Sequence, residues 1–596
     1  MTTNLTEAEF IVLSHVATQD SADSSSVFVS PQIPHQSVDS IVEALQSRGY
    51  LNGFAVTPVG VAVLEPYKVR NAVVMAAGMS TRFAPISYEK PKGLLTVGGE
   101  VLIERTIRQL QEVGITEITV VLGYMMEQFL YLEDMFGVKI RINPEYSSRN
   151  TNSTLKLVED LLDNTYICYA DNYYARNIFE PYAYHAYYSS AYHEGPTQEW
   201  ALTVDERDRI TQVTPGLGDS WVMWGPVYFD RQFSRDFVPI LNRVYDDPET
   251  PPKLWEAIYA DHVTEVDMRI RRYEAGVIFE FDSLEELKAF DENFMVNVDS
   301  SILDNICTTL NVARSDLGEF SPMTDGLSNL SFSFTAQGKK YVYRHPGAFT
   351  VGINDRVAEA QAEKVAQDLG LDKSYIYLNP EKGWKISHFI DVSEPFDYHN
   401  PIHVARSLDS IRRLHHSGRN IEASFDLYDE GLKITDRLMS IGVGGATPRF
   451  DFPDFYLLKD RAARLKELTD SDQVGKVLCH NDFYEPNILI TDKDIYLIDW
   501  EFSGMNDYAS DLGTLICCSD YTYEEALDVL AVYFGRTPTD AEIKHCVAHI
   551  SLSGYYWWIW ALNKDVCGEP VGEWTHLWYR FAKEYGRKAI ELYERG

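Results

Sequence analysis

The segment HNDFYEPNILITDKDIYLIDWEF sets His480, Asp482 and Asn487 in one short loop, and Asp499 follows Asp482 by seventeen residues. A carboxylate just after a histidine, an amide five positions on and a second carboxylate beyond a hairpin are what phosphoryl transfer to a hydroxyl requires. Asp482 would take the hydroxyl proton, Asn487 would hold a divalent cation, and Asp499 would bridge that cation to phosphate. A second group lies far upstream, in MAAGMSTRFAPISYEKPKGLL. Ala77, Gly78 and their small neighbours let backbone N–H groups approach a triphosphate. Arg82 and Lys92 can neutralise the charge that builds on an α-phosphate and a departing pyrophosphate.

These residues need elements to hold them. NAVVMAAG reads as a buried strand entering a turn, and VLIERTIRQLQEVG as a helix with Ile103, Ile107, Leu110 and Val113 on one face and Gly114 at its end. ITEITVVLG is the next strand, so residues 68–300 read as a Rossmann-like, doubly wound parallel α/β domain. Residues 301–596 open with a short helix and the strands around LSFSFTAQGKKYVYRHPG. They turn mainly helical after 400 apart from a hairpin in the Asp482 segment, and the run Gly442 to Gly445 reads as a loop. Residues 1–67 read as helix, helix and then a β-hairpin in GYLNGFAVTPVGVAVLEPY, an order that resembles a winged-helix domain. Up to Arg70 that segment has only Arg48, Lys68 and Arg70 against seven acidic residues. A regulatory or packing role fits this balance better than DNA binding.

The whole chain is acidic. Its 89 Asp and Glu against 53 Lys and Arg give a net charge of −36, a field that disfavours nucleic acid and anionic membrane as partners. Seven cysteines without a CxxC pair point to a reducing compartment. MTTNLTEAEF lacks the pattern of a signal peptide, and Tyr555 to Leu562 falls short of the ~20 apolar residues of a membrane span. The expectation is a cytoplasmic protein of several domains, with an oligomer allowed.

The ordered set strand–AAG–Arg–PK resembles the nucleoside-triphosphate transferase superfamily. GYMMEQFLYLE, NPEYSSRNTNST, YADNYY, PTQEWALTVDERDRI and FEFDSLEEL are similar to the bacterial CTP:phosphocholine cytidylyltransferases. The resemblance implies that Asp171 and Asp282 hold Mg2+ and that Asn150 helps recognise the nucleobase of CTP. Ser80 departs from the second Gly of many members. FDSLEEL also reads as a capped helix start. Glu199 and Trp200, with Tyr228 as a second wall, suit a quaternary ammonium, which an aromatic face and a carboxylate hold best.

The Asp482 segment, with TDGLSNLSFSFTAQGKKYVYRHPG upstream, resembles the choline kinase branch of the aminoglycoside-phosphotransferase-like superfamily, a two-lobed protein-kinase-like fold. The resemblance implies that the turn Asp325 to Asn329, with Ser328 and Asn329, covers the phosphates of ATP. Arg344 would contact them, paired with Glu359 or, one helical turn later, Glu363. Trp557 and Trp560 share a helix face and would cage a trimethylammonium, with Glu501 or Asp511 offsetting its charge. Together the two resemblances imply a Mg2+-dependent pair of reactions, from choline and ATP to phosphocholine, then with CTP to CDP-choline and pyrophosphate. The same chemistry on ethanolamine or another amino alcohol, a sugar kinase joined to a sugar nucleotidyltransferase, and a DNA-binding regulator with degenerate catalytic units stay open.

Overall fold

The computed structural model describes residues 5–18, 35–323, 330–347, 355–441, 454–566 and 571–595. Asp325, Ser328, Asn329 and the Gly442–Gly445 run lie outside them. Contacts divide the chain into two compact units, Met1–Cys307 and Thr308–Gly596.

The first unit is built on a nine-stranded sheet. Strand Asn71–Ala76 lies parallel to Ile118–Leu122 on one side and to Thr165–Tyr169 on the other, and Lys139–Ile142 extends the parallel part. Numbered along the chain, these four strands have the spatial order 3-2-1-4, one half of a doubly wound sheet. Strand Ser220–Phe229 then pairs antiparallel to Thr165–Tyr169 and leads to the remaining strands. Along Asn71–Ala76, Ala72 and Val74 enter one hydrophobic layer while Val73 and Met75 enter another. Both faces of the strand are therefore buried, which is why it reads as an unbroken apolar run. Helix Leu102–Glu112 buries Ile103, Ile107 and Leu110, and Gly114 follows its end in the left-handed region.

The opening segment differs from its expected hairpin. Only Leu51–Asn52 and Ala55–Val56 pair as strands, and the rest of that apolar run forms helix Pro58–Leu64. Thr57 caps it by accepting from the Gly60 N–H, and Pro58 stands in its first turn. Leu64 joins the core of helices Glu7–Thr18 and His35–Ser47, and this gain overrides the β preference of Val59, Val61 and Val63. Tyr67 stacks on Tyr184 at 5.2 Å, and the Tyr184 hydroxyl donates to the Leu5 carbonyl, so this segment is seated on the transferase-like part of the same unit.

The second unit begins with a five-stranded antiparallel sheet in the order Leu317–Met323, Leu330–Ala336, Lys339–His345, Lys385–His388, Tyr375–Leu378. Gln337 and Gly338, both with positive φ, make the tight turn between its second and third strands. Helix Arg356–Asp368 starts at Asp355, whose carboxylate accepts from the Val357 and Ala358 N–H groups. A helical half follows. In the Asp482 segment, Ile488–Ile490 pairs with Ile495–Leu497, while Val477–Cys479 pairs instead with Gly504–Asn506. Among the described residues no helix is long and apolar enough to cross a membrane.

Helices Asp540–Val566 and Glu573–Arg595 pack tightly at Gly554, where an added Cβ would lie 2.9 Å from the Ala582 nitrogen and 3.1 Å from the Trp578 carbonyl. Gly554→Val should therefore overpack this contact and lower stability by about 1–3 kcal/mol, seen as an earlier urea midpoint. An unchanged midpoint would mean the two helices part at no cost.

Candidate active sites

In the first unit the order of the parallel strands reverses between Asn71–Ala76 and Thr165–Tyr169, and open α/β sheets bind ligands beyond the strand ends at such a point. Ala77 and Gly78 leave strand Asn71–Ala76 there, and a Cβ built on Gly78 would meet nothing within 4 Å, so the backbone is open to a ligand. Ser80 sits at φ 49°, ψ 46°, the left-handed region where a second Gly would be unstrained. Lys92 is buried, and its ammonium lies 2.8 Å from Asp171, which follows strand Thr165–Tyr169. Gly93 makes this approach possible, because a Cβ there would fall 2.8 Å from that of Ala170. Arg82, largely exposed, pairs with Asp282 at 3.2 Å. Ser283 caps helix Leu284–Phe290 and the Glu286 carboxylate accepts from the Asp282 N–H, so FDSLEEL is a capped helix start that leaves the Asp282 side chain to Arg82.

Two more acids complete the group. Glu280, one strand residue before Phe281 and Asp282, lies opposite Asn172 in an antiparallel pair. Burial, and next the Asp171 charge, push its carboxyl well above the usual range. Glu199 is pushed up to about 7 by burial and then by Asp282 and Glu286. The Asp171 and Asp282 charges thus both act on Glu280, a crowding of oxygen donors of the kind a hard divalent cation relieves. Of the two expected aromatic partners, Tyr228 does not join it. Trp200 packs against the hydrophobic layer that holds Val73 and Met75. Tyr228 is fully buried against Tyr166 and Tyr187, so it is a core residue and offers no wall to a ligand. Asn150 caps helix Thr151–Leu157 and donates to the Pro252 carbonyl.

In the second unit a cavity of about 470 Å3 brings together Arg344, Asp482, Asn487, Asp499, Glu501, Trp557 and Trp560. Asn487 donates to the Asp482 carboxylate at 2.8 Å and to its carbonyl at 2.9 Å, which leaves the amide oxygen for a cation. With Asp499 this again makes an oxygen donor set suited to Mg2+. Arg344 pairs with Glu359 of helix Arg356–Asp368 and, at 2.6 Å, with Asp499. Arg356 joins Glu359 to Glu501 at 2.9 and 3.2 Å. Glu363 pairs instead with Lys385, which stands opposite Arg344 on the neighbouring strand and also lines the cavity. Burial, then Asp499 and Glu501, hold the Asp482 carboxyl well above its usual range. Burial and Asp499 push Glu501 up to about 7.

The loop itself is braced from below. His480 donates from Nε2 to the Ile498 carbonyl and accepts at Nδ1 from the Asp482 N–H, a neutral tautomer consistent with its lowered pKa in a buried site. Asp511, expected as a charge partner for substrate, is fully buried and accepts from the His480 and Asn481 N–H groups and from His415. It holds the loop and does not reach the cavity. Asn481 and Asp499 both have positive φ, at 65° and 64°, strain that such bracing sustains.

Sequence reasoning missed Lys385, Trp578 and Glu280. Trp578, from the last helix, lines the cavity with its ring 5.8 Å from Trp557 and 6.3 Å from Trp560. Its only signal in the sequence was a tryptophan on an amphipathic helix.

Comparison with known proteins divides along the same line. The MobA-like NTP transferase family matches residues 72–192 and the choline/ethanolamine kinase family residues 404–562. A 2-aminoethylphosphonate cytidylyltransferase of Lancefieldella rimae is 33% identical over 38% of this chain and 93% of its own length. A choline-phosphate cytidylyltransferase of Streptococcus pneumoniae is 30% identical over 37% of this chain and 96% of its own length. A choline/ethanolamine kinase of Rattus norvegicus is 26% identical over 36% of this chain and 58% of its own length.

Because burial and the Asp499 charge push the Glu501 carboxyl up to about 7 in the fold, against about 4.5 in an open chain, the native state binds more protons between those values. Its contribution to stability therefore falls as pH rises through that window and levels off above it. Glu501→Gln removes this loss. The variant should match wild type near pH 4.5 and exceed it at pH 8 by about 3 kcal/mol in urea denaturation. A gap that does not change with pH would contradict this charge balance.

Proposed function

We propose a two-step activity for this chain, which belongs to the cytidylyltransferase family and carries a choline/ethanolamine kinase domain behind it. The kinase, residues 301–596, phosphorylates choline with ATP, and the transferase, residues 68–300, joins the phosphocholine to CTP. The observation that carries the choline reading is the cavity of the second unit, where Trp557, Trp560 and Trp578 line the same space as Asp482, Asp499 and Glu501. A quaternary ammonium donates no hydrogen bond and is held by aromatic faces, with a carboxylate near to offset its charge.

In the first step the choline hydroxyl gives its proton to Asp482 while its oxygen attacks the γ-phosphorus, and the bond to ADP breaks. Arg344, held by Glu359 and Asp499, is placed to neutralise the phosphates. In the second step an oxygen of phosphocholine attacks the α-phosphorus of CTP and pyrophosphate leaves. Lys92 and Arg82 balance the charge that develops. Bound Mg2+ would supply Lewis-acid stabilisation, held by Asn487 and Asp499 in one site and by Asp171, Glu280 and Asp282 in the other. The thiols of Cys168, Cys479, Cys517, Cys518 and Cys546, buried and outside any disulfide, support a cytoplasmic setting.

A second reading of the transferase, with 2-aminoethylphosphonate as acceptor, is favoured by the Lancefieldella relative. The attached kinase argues for a phosphate ester, since phosphoryl transfer to a hydroxyl makes no carbon–phosphorus bond.

With ATP, CTP, Mg2+ and choline, wild type should yield CDP-choline. Asp482→Ala should lose about 10²–10⁴-fold in the kinase step and be rescued by added phosphocholine. Asp171→Ala should stop at phosphocholine. Should choline leave both nucleotides intact while ethanolamine or a sugar is consumed, the aromatic reading fails. Faster CMP transfer to 2-aminoethylphosphonate than to phosphocholine would favour the second reading.

A further inference from the structure

Among the described residues, two clusters of metal-ligating side chains lie outside the catalytic cavity in the second unit. In the first, His415, Cys479 and Asp511, the polar atoms are spoken for. His415 bonds Tyr533 and Asp511, Asp511 holds the catalytic loop, and the Cys479 thiol donates to the Asp507 carbonyl.

The second cluster is different. His545 and His549 stand four apart on helix Asp540–Val566 and so share one face. Asp507, just before helix Ala509–Cys517, spends one carboxylate oxygen on the Ala509 N–H. Its other oxygen lies 2.9 Å from His545 Nε2 and 3.7 Å from His549 Nε2. His545 is fixed from behind, with Nδ1 at 2.8 Å from Asp472, the outer carboxylate that zinc-bound histidines commonly have. His549 is buried, and among the described residues its Nε2 has no hydrogen-bond partner. A buried orphan of this kind costs about 1–3 kcal/mol unless something binds it. Beside it opens a polar cavity of about 90 Å3, lined by Asp507, His549, Asp426 and Asp470, with room for a fourth ligand.

We propose that Asp507, His545 and His549 bind one transition-metal ion of the zinc class, separate from the ions that serve phosphate chemistry. Tetrahedral zinc with bonds of about 2.0–2.1 Å sets its ligand atoms about 3.3 Å apart, and the 2.9 and 3.7 Å separations need only small shifts to meet it. On binding, His545 gives up its Nε2 proton to solvent and Asp507 turns from hydrogen-bond acceptor to ligand. The ion would join the helix that carries Asp511, brace of the catalytic loop, to the helix that carries Trp557 and Trp560. Its role is structural.

The test uses the full chain without a histidine tag, loaded with ZnCl2 and desalted. Metal analysis should find about one zinc per chain in wild type and less than about a fifth of that in His549→Leu. Cobalt loaded in place of zinc should give the visible absorption of a tetrahedral N/O site, and chelation should lower the Tm of wild type reversibly. The cobalt and chelation readouts stand even if the variant folds poorly. Equal zinc in wild type and a folded His549→Leu, no stoichiometric zinc in wild type, or octahedral cobalt would overturn the proposal.

Discussion

Both candidate sites depend on one electrostatic constraint: carboxylates are gathered closer than their charges allow unless cations stand among them. In the second unit Asp499, Glu501 and Glu359 crowd around Arg344 and Arg356, and Asp499 and Glu501 in turn press on Asp482. In the first, Asp171, Glu280, Asp282 and Glu199 crowd around Lys92 and Arg82. Each free site is short of positive charge, as the raised carboxyls show. A divalent cation brings that charge, and in such a dry setting its effect is larger than in water.

The scaffold is arranged to keep this repulsion from opening the sites. Asp511 ties the catalytic loop to helix Ala509–Cys517 through two backbone N–H groups. Gly93 lets the Lys92 loop lie against Ala170, so the ammonium reaches Asp171. Gly554 lets the last two helices close up, and Trp578 comes to rest beside Trp557. In each case a residue without chemistry of its own sets the distance at which chemistry becomes possible.

What was legible in the sequence is what is local in the chain. Asp482, Asn487 and Asp499 sit in one hairpin segment, and Gly78, Arg82 and Lys92 in one loop, so their spacing carried the signal. Strands Asn71–Ala76 and Ile118–Leu122 were legible as apolar runs because both their faces are buried. Lys385, Glu280 and Trp578 reach their sites through strand register and helix packing, which no short window contains. Tyr228 and Asp511 misled for the converse reason: type and neighbourhood fit a substrate contact, but the alternation of a strand and the seating of a helix turned both inward. The helix Pro58–Leu64 was hidden by valines whose β preference lost to packing.

The central claim is that one chain runs two consecutive transfers, and isotope tracing tests it most directly. With choline, unlabelled CTP and ATP labelled at its γ-phosphorus, the label should pass through phosphocholine into CDP-choline, as the phosphate next to choline, while the pyrophosphate stays unlabelled. Label that stops in a phosphorylated alcohol the chain will not join to CTP, or that never leaves ATP, would contradict the account.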